Sequence, residues 1–342
     1  MRKKVLLIGG GISNASLARL FLNQGFKVEI REKTNQLGGM LADKYDKISR
    51  AYISWTGPHI INFSKETREA EEFLKKHTAL YPFVHKVLCI GNGSFTFWPI
   101  NQSYQELFEF LNPDKNMFEE FIVSYSKKMW GKNYQNLIKN LKERFEPKRS
   151  RSNLFFEGKS QYQPERGYTN MIKDLVRGAR VICNREENIS TLKPELNNWD
   201  YVIVSGPIDS FFRYCYGTLE FAGLDFIFKI IETDGDSLLP TPVVNLNAHP
   251  KFIRVSELNQ LQASENRSKR RVLCFDIPSK KNRFYPLTDE KNLKLFKRYL
   301  NLSKQYNNLF FHGRLGQYKY LDIDDCIKSS MILFEKLIKK QF

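Results

Sequence analysis

Apolar residues along this chain change period several times, and the changes divide it into elements. Residues 4–8 (Lys-Val-Leu-Leu-Ile) are a short continuous apolar run, the pattern of a strand buried on both faces. Helical spacing follows over 13–24, and a second strand pattern over 27–31 ends at Glu32. Gly38 and Gly39 mark a turn, and 79–100 predict a hairpin in which Asn92 and Gly93 turn between 87–90 and 95–97. From about 103 to 145 the period is helical: Tyr104, Leu107, Phe108 and Leu111 share one face, and Leu137, Ile138 and Leu141 share another. A helix is expected over 168–176, with short strands at 179–183 and 201–204 and a turn through Gly206, Pro207, Ile208 and Asp209. Residues 216–300 hold strand-like runs at 243–246, 251–255 and 271–275. The pattern closes with a buried strand at 309–311 and an amphipathic helix at 323–340, and no internal repeat is present.

The opening strand–helix–strand carries chemistry. Gly9, Gly10, Gly11, Ile12, Ser13 and Asn14 read as GxGxxG with Asn14 in the third glycine slot, and Glu32 lies about twenty residues on. Gly9 and Gly11 permit a tight turn and bring a pyrophosphate close to a helix N-terminus, and Glu32 accepts from a ribose hydroxyl. The larger Asn14 predicts a looser strand–helix contact at that point. Near the other end, residues 313–322 set Arg314 between Gly313 and Gly316 and then give Tyr318, Lys319, Tyr320 and Asp322. Such a segment offers backbone amides and a fixed positive charge to a phosphate or a flavin edge, and hydroxyls and a carboxylate to a polar ligand. Dinucleotide-type elements at both ends enclose other material, so the nucleotide-binding domain is expected to be discontinuous.

Composition narrows this picture. At 342 residues with 42% hydrophobic content the chain suits two or three subdomains. Its basic then apolar start resembles a signal peptide, but the apolar part stops in Gly9, Gly10 and Gly11, so a buried first strand is expected. No apolar run approaches the roughly 20 residues of a membrane span. The five cysteines are scattered without CxxC spacing, as expected of reduced thiols in a cytoplasmic protein. A net charge of +17 would suit a polyanionic partner, but the densest clusters, at 148–151 and 267–271, are short and no nucleic-acid-binding signature accompanies them. Neither nucleic acid nor a metal is expected as a ligand; a small anionic substrate is.

Taken in order, several motifs resemble the UDP-galactopyranose mutase family. They are residues 9–13, Glu32 with Lys33, Gly38 with Gly39, Gly57-Pro58-His59-Ile60, Pro99-Ile100-Asn101, and Tyr125-Ser126-Lys127-Lys128-Met129-Trp130-Gly131. Further along come Pro164 with Gly167-Tyr168-Thr169, residues 206–209, Val243-Val244-Asn245, Arg254, Tyr285-Pro286 and residues 313–322. The resemblance implies an α/β flavoprotein with a discontinuous Rossmann-like FAD-binding domain (1–78, 173–205 and 305–342). It adds a small helical domain with a mobile substrate loop (101–148) and a twisted mixed and antiparallel sheet domain (79–100, 149–172 and 206–304) that binds a diphosphate. It implies that reduced flavin N5 attacks the anomeric carbon of an NDP-hexose, most simply UDP-galactose, as UDP leaves, and that the ring recloses at the other size. NAD(P)H is the implied external reductant, and a homodimer is compatible with this reading.

Site residues follow from the same resemblance. Gly9, Gly11, Ser13, Glu32, Lys33, Gly38, Gly39, Pro58, His59, Arg314 and Gly316 are implied at the cofactor. Arg254 and a second cation are implied at the diphosphate; counting gives Lys148 or Arg149, and Arg149 is preferred because a guanidinium binds phosphate bidentately. Tyr285, Tyr320 and His59 join them as catalytic candidates, and Asn101, Phe121, Tyr125, Ser126, Trp130 and Asp322 are implied on the substrate side, though Phe121 reads equally as core. The chain departs from the family pattern at Asn62 and Phe63, where His and Thr are usual, at Phe155 for a tyrosine, at His312 for a glycine, and around 221–224, where arginines are usual. Several of these border the sugar rather than the diphosphate, which leaves the sugar open. A net redox flavoenzyme of the amine-oxidase-like group and a non-catalytic NDP-sugar binder remain as alternatives.

Overall fold

The computed structural model describes residues 2–131, 151, 159–262 and 268–339. A five-stranded parallel sheet runs in the order Arg180–Ile182, Lys27–Arg31, Lys4–Ile8, Tyr201–Val204, Leu309–Phe311. The central strand Lys4–Ile8 buries alternate residues on both faces. Val5 and Leu7 join Ala15 and Phe21 of the helix Ile12–Asn23 and Ile327 of the helix Ile323–Lys339. Leu6 and Ile8 join Phe211, Phe212 and Tyr299 on the other side. Burial on both faces is why this run is continuous in the sequence instead of alternating. Tyr299 belongs to the helix Glu290–Ser303, which sequence patterning grouped with the strand-rich stretch. Leu295, Phe296, Tyr299 and Leu300 lie on its packed side, and Asp289 caps it by accepting from Asn292 N at 2.9 Å.

The second sheet has seven strands in the order Tyr285–Pro286, Phe221–Glu232, Arg270–Ser279, Arg254–Glu257, Val243–Leu246, Val87–Ile90, Phe95–Trp98. Neighbours are antiparallel except Val243–Leu246 beside Val87–Ile90. The strand expected at 251–255 begins only at Arg254. Lys251 N and Phe252 N instead donate to His249 Nδ1 at 3.1 and 2.9 Å, which bends the chain before Ile253.

The helical stretch opens with Gln102–Leu111 and continues through Glu119–Val123 into Ser124–Trp130. Its inward face differs from expectation. Phe108 is buried and Tyr104 half-buried, whereas Leu107 and Leu111 are 50% and 63% exposed. The small core beneath, with Val87, Cys89, Ile100, Phe121 and Val243, takes one of the two adjacent stripes. Leu137, Ile138 and Leu141 lie outside the described residues.

A three-stranded sheet, Ile61–Phe63, Ser160–Pro164, Leu80–Pro82, bridges the two regions. The helix Tyr168–Leu175 then sends Tyr168, Met171, Ile172 and Leu175 into the core of the parallel sheet. The carboxylate of Asp43 accepts from Tyr168 N at 2.7 Å and Thr169 N at 2.9 Å at its start. A domain boundary between 172 and 173 would cut this helix, and packing keeps it with the parallel sheet.

Candidate active site

The glycine loop leads into Ile12–Asn23, whose N-terminal amides no side chain among the described residues caps. A Cβ placed on Gly11 would meet open space, whereas one on Gly39 (φ 56°) would lie 3.2 Å from Gly11 Cα. The two glycine turns therefore pack backbone to backbone, and Gly38 N donates to Gly10 O at 2.9 Å. Glu32 closes the loop from below: one carboxylate oxygen accepts from Gly10 N at 2.7 Å, the other from Thr34 N and Oγ1 at 2.8 Å. A carboxylate has about four acceptor positions, so capacity for a ribose remains. Arg31 next to it is buried and ion-paired with Glu29 and Glu187 at 2.8 Å each, which fixes the strand end that carries Glu32. Lys33 is exposed beside it. An uncapped helix N-terminus, an open cradle over Gly11 and an acid at the second strand end fit the pyrophosphate and ribose of a dinucleotide.

Asn14 does not loosen this turn. It is buried, and its Nδ2 donates to Ile8 O and Gly9 O at 2.9 Å and to Ser205 Oγ at 3.1 Å. Ser13 is buried against the far loop, where Gly313 (φ 76°) leaves its Oγ room; a Cβ there would sit 2.8 Å from it. Gly316 packs against Val204 O in the same way.

A second group of residues gathers where the seven-stranded sheet meets residues 313–322. Arg254 is at its centre. Its Nε donates to Asp276 Oδ2 at 2.7 Å and its Nη2 bonds the same oxygen, while Asp276 is 1% exposed and the Arg254 side chain 24%. Burial works against the charge of Arg254, but Asp276, Tyr125 and Tyr285 outweigh it and the net direction is up. Burial raises the Asp276 carboxyl despite the opposing pull of Arg254; a permanently charged guanidinium that donates twice to one carboxylate oxygen makes the two an ion pair. Tyr125 is pushed up to about 12 by burial, against the pull of Arg254, and Tyr285 is raised for the same reason. Both phenols therefore stay protonated and can donate.

Tyr285 is the hub of the aromatic part. It stacks on Tyr320 at 5.8 Å and meets Trp130 edge-on at 5.6 Å. The Arg314 guanidinium lies 4.8 Å from the centre of the Tyr320 ring and 5.7 Å from that of Tyr285, and its Nε donates to Leu321 O at 2.8 Å. Tyr320 donates to Asp322 Oδ1 at 2.9 Å. Seven residues singled out in the sequence (Tyr125, Trp130, Arg254, Tyr285, Arg314, Tyr320 and Asp322) thus gather in one cluster.

His59, beside Pro58, is pushed down to about 3 by burial and then by Arg314 and Arg254. The Thr56 hydroxyl donates to Met40 O, so the 3.0 Å contact between Thr56 Oγ1 and His59 Nε2 is donated by the imidazole. His59 is therefore neutral, and its imidazole also bonds the Met40 backbone. A recess lined by Asp43, Tyr52, Pro58, His59, Gln163 and Tyr168 reaches this turn but includes none of Arg254, Tyr285 and Tyr320.

Two substrate-side candidates have local structural roles. Phe121 is 2% exposed and packs edge-on against Phe108 at 5.6 Å inside the small core, the second of its two readings. Asn101 is 1% exposed, and its Oδ1 caps Gln102–Leu111 by accepting from Tyr104 N at 3.0 Å. Ser126 is buried on Ser124–Trp130. Arg149, Lys148 and Phe155 lie outside the described residues. Asp276 was missed; its signal was an acid within the apolar run that ends Arg270–Ser279.

A dinucleotide cradle on a parallel sheet, joined to a second sheet that presents an arginine among phenols, defines a cofactor-dependent enzyme for an anionic substrate. An NAD(P)-binding Rossmann-like domain model matches residues 7–77, and the model for UDP-galactopyranose mutase matches residues 120–320. The chain belongs to the UDP-galactopyranose mutase family and is by class an isomerase, a flavin-dependent pyranose/furanose mutase. It is 25% identical to a probable UDP-galactopyranose mutase of Klebsiella pneumoniae, across 96% of this chain and 93% of that one. It is equally similar, at 25%, to a dTDP-fucopyranose mutase of Escherichia coli, across 98% of each. A crystal structure of reduced UDP-galactopyranose mutase shares the fold with a TM-score of 0.74 at 12% identity, covering 99% of this chain and 96% of that one. A putative protoporphyrinogen oxidase reaches 0.63 at 11% identity, covering 99% of each chain. No helix among the described residues is long and apolar enough to cross a membrane.

Proposed function

We propose that the chain interconverts the pyranose and furanose forms of an NDP-hexose, most simply UDP-galactopyranose and UDP-galactofuranose. In this reading FAD occupies the glycine cradle and NAD(P)H reduces it from outside, in the cytoplasm. The observation that carries the reading is Arg254, held by Asp276 behind it and faced by Tyr125 and Tyr285. One cation among protonated phenols suits a diphosphate: the guanidinium supplies charge and the hydroxyls supply donors. Reduced flavin supplies the nucleophile that takes the anomeric carbon when UDP departs. The side chains have the remaining work. Arg254, Tyr285 and Tyr320 hold the diphosphate through departure and return, Asp322 orients the Tyr320 hydroxyl, and Trp130 closes over the substrate from the helix that also carries Tyr125. Arg149 completes the charge in this scheme. His59, neutral, lines the cofactor side. The nucleotide, helical and diphosphate-binding parts of the chain are assigned on the same basis.

The test is anaerobic. Dithionite-reduced holoprotein is mixed with UDP-galactopyranose, then with a dTDP-6-deoxyhexose, and ring-size exchange is followed by NMR. Exchange only in the reduced form is expected there, and a parallel aerobic run with the same substrates should show product without stoichiometric oxygen consumption. Oxygen uptake stoichiometric with product would overturn the mutase reading in favour of a net oxidase.

A further inference from the structure

Lys128 has none of the roles assigned above, yet it holds two of their supports together. Its Nζ donates to Leu246 O at 2.6 Å and to Phe252 O at 3.0 Å. These carbonyls flank the bend that leads through Ile253 directly into Arg254. Lys128 itself is on Ser124–Trp130, the helix that carries Tyr125 and Trp130. A second, separate tie joins the same bend to Glu119–Val123, the segment that runs directly into that helix: Asn247, 4% exposed within the bend, donates from Nδ2 to Phe121 O. Apolar contact completes the joint, with Met129, Tyr125 and Trp130 packed among Leu224, Ile253 and Tyr285.

We propose that Lys128 is a positioning residue that sets Tyr125 and Trp130 in register with Arg254, so that phenol, indole and guanidinium converge on one bound diphosphate. The reason is geometric. Apolar contact between a helix and a bend tolerates sliding, because dispersion and burial have no preferred direction. One ammonium shared by two carbonyls on either side of the bend does not, because each hydrogen bond fails once its distance and angle are lost. The cost of placing the ammonium there is visible: burial pushes its pKa down to about 8. A misplacement of about 1 Å in a positioning group costs as much as about a hundredfold in rate or binding, so this joint matters although it touches no substrate.

The inference rests on the mutase reading, and the experiment separates the two. KM and kcat for the NDP-hexose are measured on reduced holoenzyme, with UDP dissociation constants and flavin content alongside. Lys128→Met should raise KM and the UDP dissociation constant about tenfold, with kcat within about twofold and FAD content unchanged. Lys128→Arg keeps a cation with several donors and should recover most of that loss. A purely structural lysine would lower the melting temperature yet leave KM and UDP affinity of the folded enzyme alone, and that result overturns the proposal. If Lys128→Met yields no folded holoenzyme, Asn247→Ala decides, since cutting the second tie should shift KM in the same direction; wild-type KM and UDP affinity there also overturn it. A wild-type chain that binds UDP but isomerises no NDP-hexose sinks the mutase reading, and the variants' UDP affinities still decide the role of Lys128.

Discussion

Replacing Asp276 by Asn tests the centre of the site with a change of charge and almost none of shape. In the folded protein Asp276 is 1% exposed and gives one oxygen to both Nε and Nη2 of Arg254. Removing one partner of a fully buried ion pair costs about 3–5 kcal/mol, because the other charge is left without compensation. Arg254 keeps some contact with water, at 24% exposure, and the amide oxygen of an asparagine still accepts one bond. Both reduce the penalty, and about 2–3 kcal/mol is expected. For a chain of 342 residues that is a melting temperature lower by about 3–4 °C. Thermal unfolding of FAD-loaded protein would measure it. The same assay with saturating UDP carries the functional part: a bound diphosphate returns the missing counter-charge to Arg254, so UDP should raise the melting temperature of Asp276→Asn more than that of the wild type. Equal melting of the two proteins would refute the claim that Asp276 holds Arg254. An equal UDP increment in both would refute the claim that Arg254 faces the diphosphate.

Other outcomes follow from single features of the fold. His59, His85 and His312 are pushed down from 6.5 to about 3, 3 and 4, in each case first by burial. They are neutral when folded and take up protons near 6.5 when unfolded, so the unfolded chain binds more protons below that pH. Their contribution is complete above pH 6.5 and is lost on acidification, about 2 kcal/mol for each histidine between pH 7 and 5. His312→Gln should flatten that slope by about a third in denaturant titrations, and an unchanged slope would count against a buried neutral imidazole. Gly39→Ala places a methyl group 3.2 Å from Gly11 Cα at a left-handed backbone position, and purified protein should show reduced flavin absorbance per chain with its fold intact by circular dichroism. Trp130→Ala should weaken UDP binding by calorimetry while leaving FAD content alone, since Trp130 packs on Tyr285 outside the glycine cradle; loss of FAD would place it on the cofactor side.

What was legible in the sequence depended on how local its cause is. The strand Lys4–Ile8, the glycine turns and Glu32 announce themselves because each is fixed by neighbours within a few residues or by a backbone conformation that favours glycine. The convergence of Trp130, Arg254, Tyr285 and Tyr320 was legible only through resemblance, since residues this distant in sequence meet by sheet order and strand register. Asp276 stayed hidden for that reason: its pairing with Arg254 needs the antiparallel register of two strands, which no local pattern encodes. Phe121 and Asn101, both implied on the substrate side, also carry local structural roles, a small apolar core for one and the orphan amides of a helix start for the other.

The same reasoning sorts the chain's departures from the family pattern. A side chain in a glycine slot survives when it finds space and its polar atoms find partners. Asn14 does so through the carbonyls of Ile8 and Gly9. His312 does so completely. It is 0% exposed, and Ser330 Oγ, which has Ser13 O at 3.0 Å and Cys326 O at 2.7 Å to donate to, receives the His312 Nε2–H at 2.9 Å. Gln317 Nε2 lies 3.4 Å from its Nδ1. An imidazole with both nitrogens engaged inside the fold ties the last strand to the closing helix and the glycine loop, and it has no atom left to tune chemistry at the sugar. Asn62 is different. Ile61 and Phe63 on either side are buried in the large core, and the Asn62 Oδ1 is buried without a partner among the described residues. An unpaired buried acceptor costs about 1–3 kcal/mol, a penalty that packing at this position does not relieve. Of these two departures, position 62 and not 312 is therefore where exchanging the residue, Asn62→His, should change the relative rates with UDP-galactopyranose and a dTDP-6-deoxyhexose, while His312→Gly should lower stability and leave those relative rates as they are.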